Sequence, residues 1–357
     1  MMSNLAINKK LISSGSRIDS IDFIRAISFL MIVAGHFVGA LSQQGVDRHY
    51  FHKYYLGGVG VSFFIITSGA SLYVSTKNKF DLKVYIKKRI ANIYPYFWIC
   101  YIFVAVFLFL SFSTVCLGDD PVRLLITFLA LDGYLGSTVP NTYYLIGEWF
   151  TGFILLVYIL FPFVFWLKNK NIYIAITLII ISSWIAIQNT HYIVEHFLLW
   201  NDDPFWNPIS RLPEILLGAL VIDLLLLKNK KANFFTAFIA LLYIIIVITF
   251  IENHYRTYNM WGISMWAMTF VIICCLYENI IIPKAVKKII LFFSEYSFVA
   301  FLLHHQIIYY LVSKIQFHEF NKFQFFYFYV VIVLLCYFLA YLIKPIGDKL
   351  KRKILEL

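Results

Sequence analysis

Residues Arg17 to Phe37 read RIDSIDFIRAISFLMIVAGHF. The stretch opens with Arg17, Asp19, Ser20 and Asp22, as polar as the start of a soluble helix. It then becomes an apolar run long enough to enter a bilayer, yet still carries Arg25 and His36. At about 100° per residue the steps from Arg25 to His36 close roughly three turns, and Asp22 projects within about 40° of His36, so the three share a face. An ionisable group within a membrane helix costs about 2.5 kcal/mol or more, and such groups turn toward protein or a wet cavity. The pattern therefore predicts a membrane helix that walls a site, with a cation near one end and a titratable ring about three turns deeper. The other reading of the same residues is that Arg25 snorkels to lipid headgroups and His36 is a satisfied structural hydrogen-bonder.

The rest of the chain has the same character. Its 357 residues are 61% hydrophobic and 14% charged, where a soluble domain is about 45–50% apolar and about 25% charged. An integral membrane protein follows. The formal net charge of +11 does not point to nucleic acid, because the cations cluster in short segments between apolar runs, as cytoplasmic loops do. Five cysteines without CxxC spacing imply neither a disulfide framework nor a metal site. The first apolar run lacks a small-residue cleavage pattern and is expected to be a retained helix.

Ten segments have the length and apolarity of spanning helices: 21–41, 54–75, 92–113, 143–167, 172–188, 209–227, 233–251, 258–276, 289–313 and 323–345. A shorter stretch, Val122 to Leu135, contains Asp132 and is expected to be re-entrant or to lie at the surface. With the N-terminus inside, 22 of the 30 Lys and Arg fall in inner segments and 6 in outer ones, with Arg25 and Arg211 within helices. That bias predicts an even number of crossings with both termini cytoplasmic. The expected architecture is a single all-α polytopic membrane bundle over 1–357, with 1–20 a cytoplasmic N-terminal segment and 346–357 a basic cytoplasmic tail. The basic connection 76–91 reads as an interfacial amphipathic helix. The longer outer loops, 114–142 and 189–208, are rich in aromatic and acidic residues and read either as a shallow vestibule or as an interfacial aromatic belt.

Four clusters carry possible chemistry. The first is Asp22, Arg25 and His36. The second is Lys87, Lys88 and Arg89, ahead of a third helix with Pro95 in its first turn; it suits a polyphosphate such as that of coenzyme A, or equally anionic lipid. The third is Glu148 in YYLIGEWFTGF, positioned to orient His36 or to touch interfacial water. The fourth joins SRLPEILLGALVID, with Arg211 and Glu214 spaced to pair with each other, to EYSFVAFLLHHQIIYY. There His304 and His305 point about 100° apart, so one faces the interior. There is no HExxH, no cysteine ligand set and no GxSxG, and no metal is expected. His36 is the best available base.

In order, these clusters resemble the acyltransferase-3 family of bacterial integral membrane proteins, over about Arg17 to Pro345. IDFIRAISFLMIVAGHF is similar to the family's first helix, GGVGVSFFIITSGASLYVS to its second, and KKRIANIYPYF to its basic segment. LIGEWFTGFILLVYILFP, RLPEILLGAL and SFVAFLLHH resemble its acidic, sixth-helix and late motifs. Departures are Asn92 where a second arginine is usual, a single Glu148 where a pair is common, and Phe298 and Phe301 in place of tyrosines. The resemblance implies a stand-alone form without an esterase-like domain. It would be a multi-pass enzyme of the bacterial plasma membrane that transfers an acyl group, often acetyl, from acyl-CoA to a hydroxyl of an extracytoplasmic polysaccharide or glycolipid. By the same resemblance Lys87, Lys88 and Arg89 bind the donor, and His36 acts as base or carries the acyl group. Arg25 holds the donor or the developing oxyanion, Glu148 orients His36 or binds a sugar hydroxyl, and Asp22, Arg211, Glu214 and His304 bind substrate. The rival class is an exporter or flippase of a lipid-linked or surface polysaccharide, against which stands the lack of two similar halves.

Overall fold

The computed structural model describes residues 17–46, 56–113, 118–136, 138–197, 204–252 and 259–357, the side chains of Glu148 and Phe197 excepted. Arg48, Lys53 and Arg256 of the expected outer loops, Lys9 and Lys10, and the centre of the 189–208 loop lie outside the described residues. Among the described residues every regular element is helical. The α-helices in chain order are α1 Asp19–Gln43, α2 Leu56–Thr76, α3 Leu82–Phe112, α4 Leu124–Phe128, α5 Asp132–Leu135, α6 Glu148–Lys170, α7 Ile172–Gln188 and α8 Thr190–Phe197. They continue as α9 Leu212–Leu226, α10 Lys230–Phe250, α11 Met260–Tyr277, α12 Lys284–Lys314 and α13 Lys322–Glu356.

Each of the ten expected apolar segments has its helix. Seven are long and apolar enough to cross a membrane unaided, and an eighth span arises if α7 and α8, bent by 72° at their junction, are taken together. Helix α9, at 15 residues, rises only about 22 Å, and α12 carries Lys284, Lys287 and Lys288 in its first turns. The protein is thus a polytopic helical membrane protein.

Two boundaries differ from the sequence expectation, with physical reasons. Residues 82–91 are not a separate interfacial helix but the first turns of α3, which starts where Asp81 accepts a hydrogen bond from the Val84 amide at 3.0 Å. Buried Tyr85 and Ala91 continue the inward face of the span, so nothing breaks the helix, and Pro95 lies in its interior rather than in a first turn. At 31 residues, about 46 Å, α3 outruns a hydrocarbon core of about 30 Å, and its basic turns stand outside it. Helix α6 starts at Glu148, five residues later than expected. Gly147 before it is left-handed (φ 94°), which suits glycine, and stops the helix from extending backward.

Helix α2 is central, with 72% of its apolar window buried; α10, with 22%, is peripheral and turns Phe234, Phe235, Phe238 and Ile245 outward to lipid. Small residues allow α2 its neighbours. A Cβ on Gly35 of α1 would meet Gly57 Cα of α2 at 2.8 Å. A Cβ on Gly218 of α9 would overlap the Ile66 carbonyl of α2. Without a hydrophobic drive between helices in lipid, such close backbone approach is a principal source of packing energy. Helix α13 braces the other flank: Tyr329 donates to the Leu30 carbonyl at 2.9 Å and Tyr337 to the Phe293 carbonyl at 3.1 Å.

The Val122 to Leu135 stretch forms a 3-10 turn followed by α4 and α5. Its Asp132 is buried and accepts from Thr127 Oγ1 at 2.6 Å; burial raises this carboxyl's pKa above its ordinary value. On the preceding turn Asp119 accepts from Asn141 Nδ2 at 3.0 Å and from Arg123 at 2.6 Å, and the Asn141 bond holds its carboxyl below the usual range.

Candidate active site

Helices α1 and α12 run in parallel, and two contacts set their register. At one end Ser294 Oγ of α12 donates to Asp22 of α1 at 2.6 Å; at the other His304 Nε2 meets His36 Nδ1 at 3.0 Å. His304 is fully buried, and His36 and His305 are half-buried. The ring of His305 lies edge-on to that of His36, centroids 4.3 Å apart.

With both rings uncharged, these contacts select one tautomer for each. His304 Nδ1 contacts the Phe301 carbonyl oxygen, which only accepts, so Nδ1 bears a proton and donates it. The lone pair of His304 is then on Nε2, and His36 Nδ1 donates into it. His36 consequently carries its own lone pair on Nε2, the arrangement of a base held in one tautomer by a second group. Phe301 also packs on Phe64 and Phe150, fixing the carbonyl's turn of helix against rings from two other helices, α2 and α6.

Arg25 occupies the opposite end of the same face. Its Nη2 donates to Ser71 Oγ at 2.7 Å, and its Nη1 reaches Asp22 and Ser294 Oγ, each at 3.3 Å. Asp22 also accepts from Arg17 Nε at 2.7 Å, so its oxygens are engaged by two arginines and a serine. The eleven-residue rise separates Arg25 from His36 by about 16 Å along α1. The structure thus gathers Asp22 with Arg25, and His36 with His304, at two stations on one wall. Arg25 and His36 stand about three turns apart on one face, and the Arg25 side chain stays a quarter exposed.

Glu148 opens α6 just after residues tied to α12, where Gln306 Nε2 donates to the Leu145 carbonyl at 2.7 Å. Its backbone is therefore brought toward the histidine end; its side chain lies outside the described residues. Arg211 and Glu214 form a bidentate pair with side chains 0% and 1% exposed. Arg211 also donates to Ser62 Oγ at 2.8 Å and its guanidinium lies over the Phe205 ring at 4.4 Å. Its donors are spent on the α2 to α9 junction, while Glu214 borders an apolar cavity of about 620 Å³ between α7, α9, α10 and α11.

The basic run does not act as one patch, because neighbours on a helix diverge by about 100°. Lys88 is exposed and Lys87 half-buried, while Arg89 turns inward, its guanidinium 5.4 Å from the ring centroids of both Tyr85 and Tyr158. Close to it runs the end of α13, where Lys351 is near enough to feel the Arg89 charge. Pro345, Asp348, Lys351 and Arg352 line a cavity of about 460 Å³ there.

A family model described as an acyltransferase domain matches residues 18–344, nearly the whole chain. The chain belongs to the acyltransferase-3 family. It is a membrane acyltransferase. No curated protein and no solved structure matches it.

In this acyltransferase several site residues escape motif reading. Ser71 and Ser294 hold Arg25, and Lys351 lies near Arg89; the resemblance implies that His304 binds substrate, but does not foresee its contact with His36. The signal for the last was present as a stripe: Ser294, Ser297, Phe301 and His304 recur at three and four, one polar face of α12 that matches the Asp22, Arg25, Phe29 and His36 face of α1.

Proposed function

We propose that this acyltransferase is an O-acetyltransferase of the bacterial plasma membrane, with both termini cytoplasmic. It moves an acetyl or other acyl group from cytoplasmic acyl-CoA to a hydroxyl of an extracytoplasmic polysaccharide or glycolipid. The reading is carried by one observation: an imidazole pair inside the bundle, His304 fully buried and His36 half-buried, in contact at 3.0 Å. With both rings uncharged, the Phe301 carbonyl's acceptance from His304 leaves His36 Nε2 basic.

In this mechanism the donor's phosphates dock at the cytoplasmic edge against Arg89 and the Lys351 and Arg352 end of α13, with Lys87 and Lys88 supplying longer-range attraction. Arg25 holds the more buried part of the donor by the guanidinium edge that Ser71 and Asp22 orient. The acyl group then lies between the two stations, with its carbonyl at the histidine end. The acceptor hydroxyl gives its proton to His36 Nε2 while its oxygen forms a bond to the acyl carbon. The carbon–sulfur bond breaks, and the proton passes from His36 to the departing thiolate, so one ester and one free thiol appear for each thioester lost. His304 stabilises the transient imidazolium by accepting a hydrogen bond from its Nδ1–H, without itself changing charge.

The test is purified protein in liposomes with acetyl-CoA on one face and a glycan acceptor on the other. Thiol and ester should appear in equal amounts. His36→Ala, at equal abundance, should lose roughly 10²–10⁴-fold in rate. Full ester formation by His36→Ala would overturn the assignment, and glycan movement without thiol release would make the protein an exporter.

A further inference from the structure

The mechanism uses two of three clustered histidines. The ligand nitrogens of His36, His304 and His305 all lie within 4.8 Å of one another, and the three ring centroids are 4.3, 4.7 and 5.0 Å apart. We infer that these three imidazoles form a site for a borderline divalent cation, Zn²⁺ or its neighbours, and that filling it switches acyl transfer off.

The geometry is close to that of a tetrahedral site. With Zn–N bonds of about 2.0–2.1 Å, ligand nitrogens sit about 3.3 Å apart. His36 Nδ1 and His304 Nε2 are already at 3.0 Å, so they need part by only a few tenths of an ångström. His305, half-buried and one residue along α12, closes the third edge by a side-chain rotation. The outer support is in place too. His304 donates its Nδ1 proton to the Phe301 carbonyl, which presents the Nε2 lone pair to the cluster, the usual support of a metal-bound imidazole. Three neutral nitrogens with no carboxylate among them favour zinc, copper or nickel over magnesium or calcium. No motif announced this set, because its members come from α1 and α12, far apart in sequence, and the two adjacent histidines diverge on an ideal helical projection.

Inhibition follows from proton placement. A cation on His36 Nδ1 takes the position of the shared proton, which moves to Nε2 of the same ring; no proton is lost and no charge is created on the imidazole. The lone pair that accepts the hydroxyl proton is then gone. This part rests on the proposed function, whereas cation binding does not.

Purified, chelator-stripped protein is titrated with Co²⁺ and followed by its visible absorption, with Zn²⁺ as competitor. One cation per chain is expected, with X-ray absorption of the zinc form showing three nitrogen neighbours at about 2.0–2.1 Å. His305→Gln should keep basal transfer, weaken Zn²⁺ inhibition at least tenfold and bind cobalt correspondingly less well. No stoichiometric binding to the wild type, binding unchanged in His305→Gln, or Zn²⁺ that raises the rate would overturn the inference. If His305→Gln does not fold, the nitrogen count on wild-type protein still decides it. Binding without any transferase activity would sink the proposed function and leave the cation site standing.

Discussion

His304 is the sharpest test of the active-site geometry, because its expected effect differs in size and kind from that of His36. Replacement by Leu removes the acceptor of the His36 Nδ1 proton while keeping an apolar side chain against Phe29 and Phe301. A neutral hydrogen bond contributes about 0.5–1.5 kcal/mol, and one to a charged group about 1.5–3 kcal/mol. The 3.0 Å contact passes from the first kind to the second as His36 takes the hydroxyl proton. The difference, about 1–1.5 kcal/mol, exists only in the transition state and corresponds to roughly a tenfold fall in kcat. KM should hardly move, since ground-state binding does not use this bond. His304→Gln, whose side-chain oxygen accepts the same proton, should recover most of the loss. Steady-state kinetics of the three proteins in liposomes, at matched abundance, supplies the assay. If His304→Leu changed KM alone, or were as inactive as His36→Ala with Gln giving no rescue, His304 would be a substrate contact or a reacting group rather than the residue that positions His36.

Other consequences are structural. Glu214→Gln leaves the fully buried Arg211 charge without its partner and should cost about 3–5 kcal/mol, whereas Arg211→Met with Glu214→Leu should restore much of it; thermal unfolding in detergent separates the two. Gly218→Val forces a side chain into the Ile66 carbonyl and the Ala70 amide and should push α2 and α9 apart, costing about 3 kcal/mol or more by the same assay. Asp132 has a folded pKa above 3.8, so the folded state takes up a proton before the unfolded one does, and stability falls as pH rises through the window from 3.8 to the raised value. Asp132→Asn should therefore melt later than wild type at neutral pH, and this advantage should vanish in acid below that window.

Hydropathy was enough to place the helices because lipid leaves the backbone no choice: a segment that enters the bilayer must satisfy its own amides, and each of the ten apolar segments in the chain is helical. It misplaced ends, as at residues 82–91 and 143–147, where the membrane exerts no such constraint and local sterics decide. Lys87, Lys88 and Arg89 are good helix formers, so α3 runs through them, while Gly147 in a left-handed conformation stops α6. The site was legible residue by residue and not as an arrangement. Asp22, Arg25 and His36 declare themselves because charge in a membrane helix is expensive. Their partners Ser71 and Ser294 are ordinary residues for such a helix, and cost nothing to leave unexplained.

The same reasoning explains why the two stations are held so differently. Arg25 is fixed by serine hydroxyls and a carboxylate that is itself shared with Arg17, a set able to yield one donor to an incoming anion while the others keep the guanidinium in place. His36 is bonded to a ring nitrogen of His304, whose own orientation comes from a backbone carbonyl of α12. A backbone acceptor cannot change rotamer without unwinding its helix, so the tautomer of His36 is tied to the integrity of α12 around Phe301. A substitution that loosens this turn, such as Phe301→Ala at the contact with Phe64 and Phe150, should therefore lower kcat without touching any reacting group, and measurably more than Phe64→Ala, which removes one of the rings but leaves the carbonyl where it is. Equal losses in the two variants would mean that ring packing alone, and not the carbonyl it positions, sets the histidine pair.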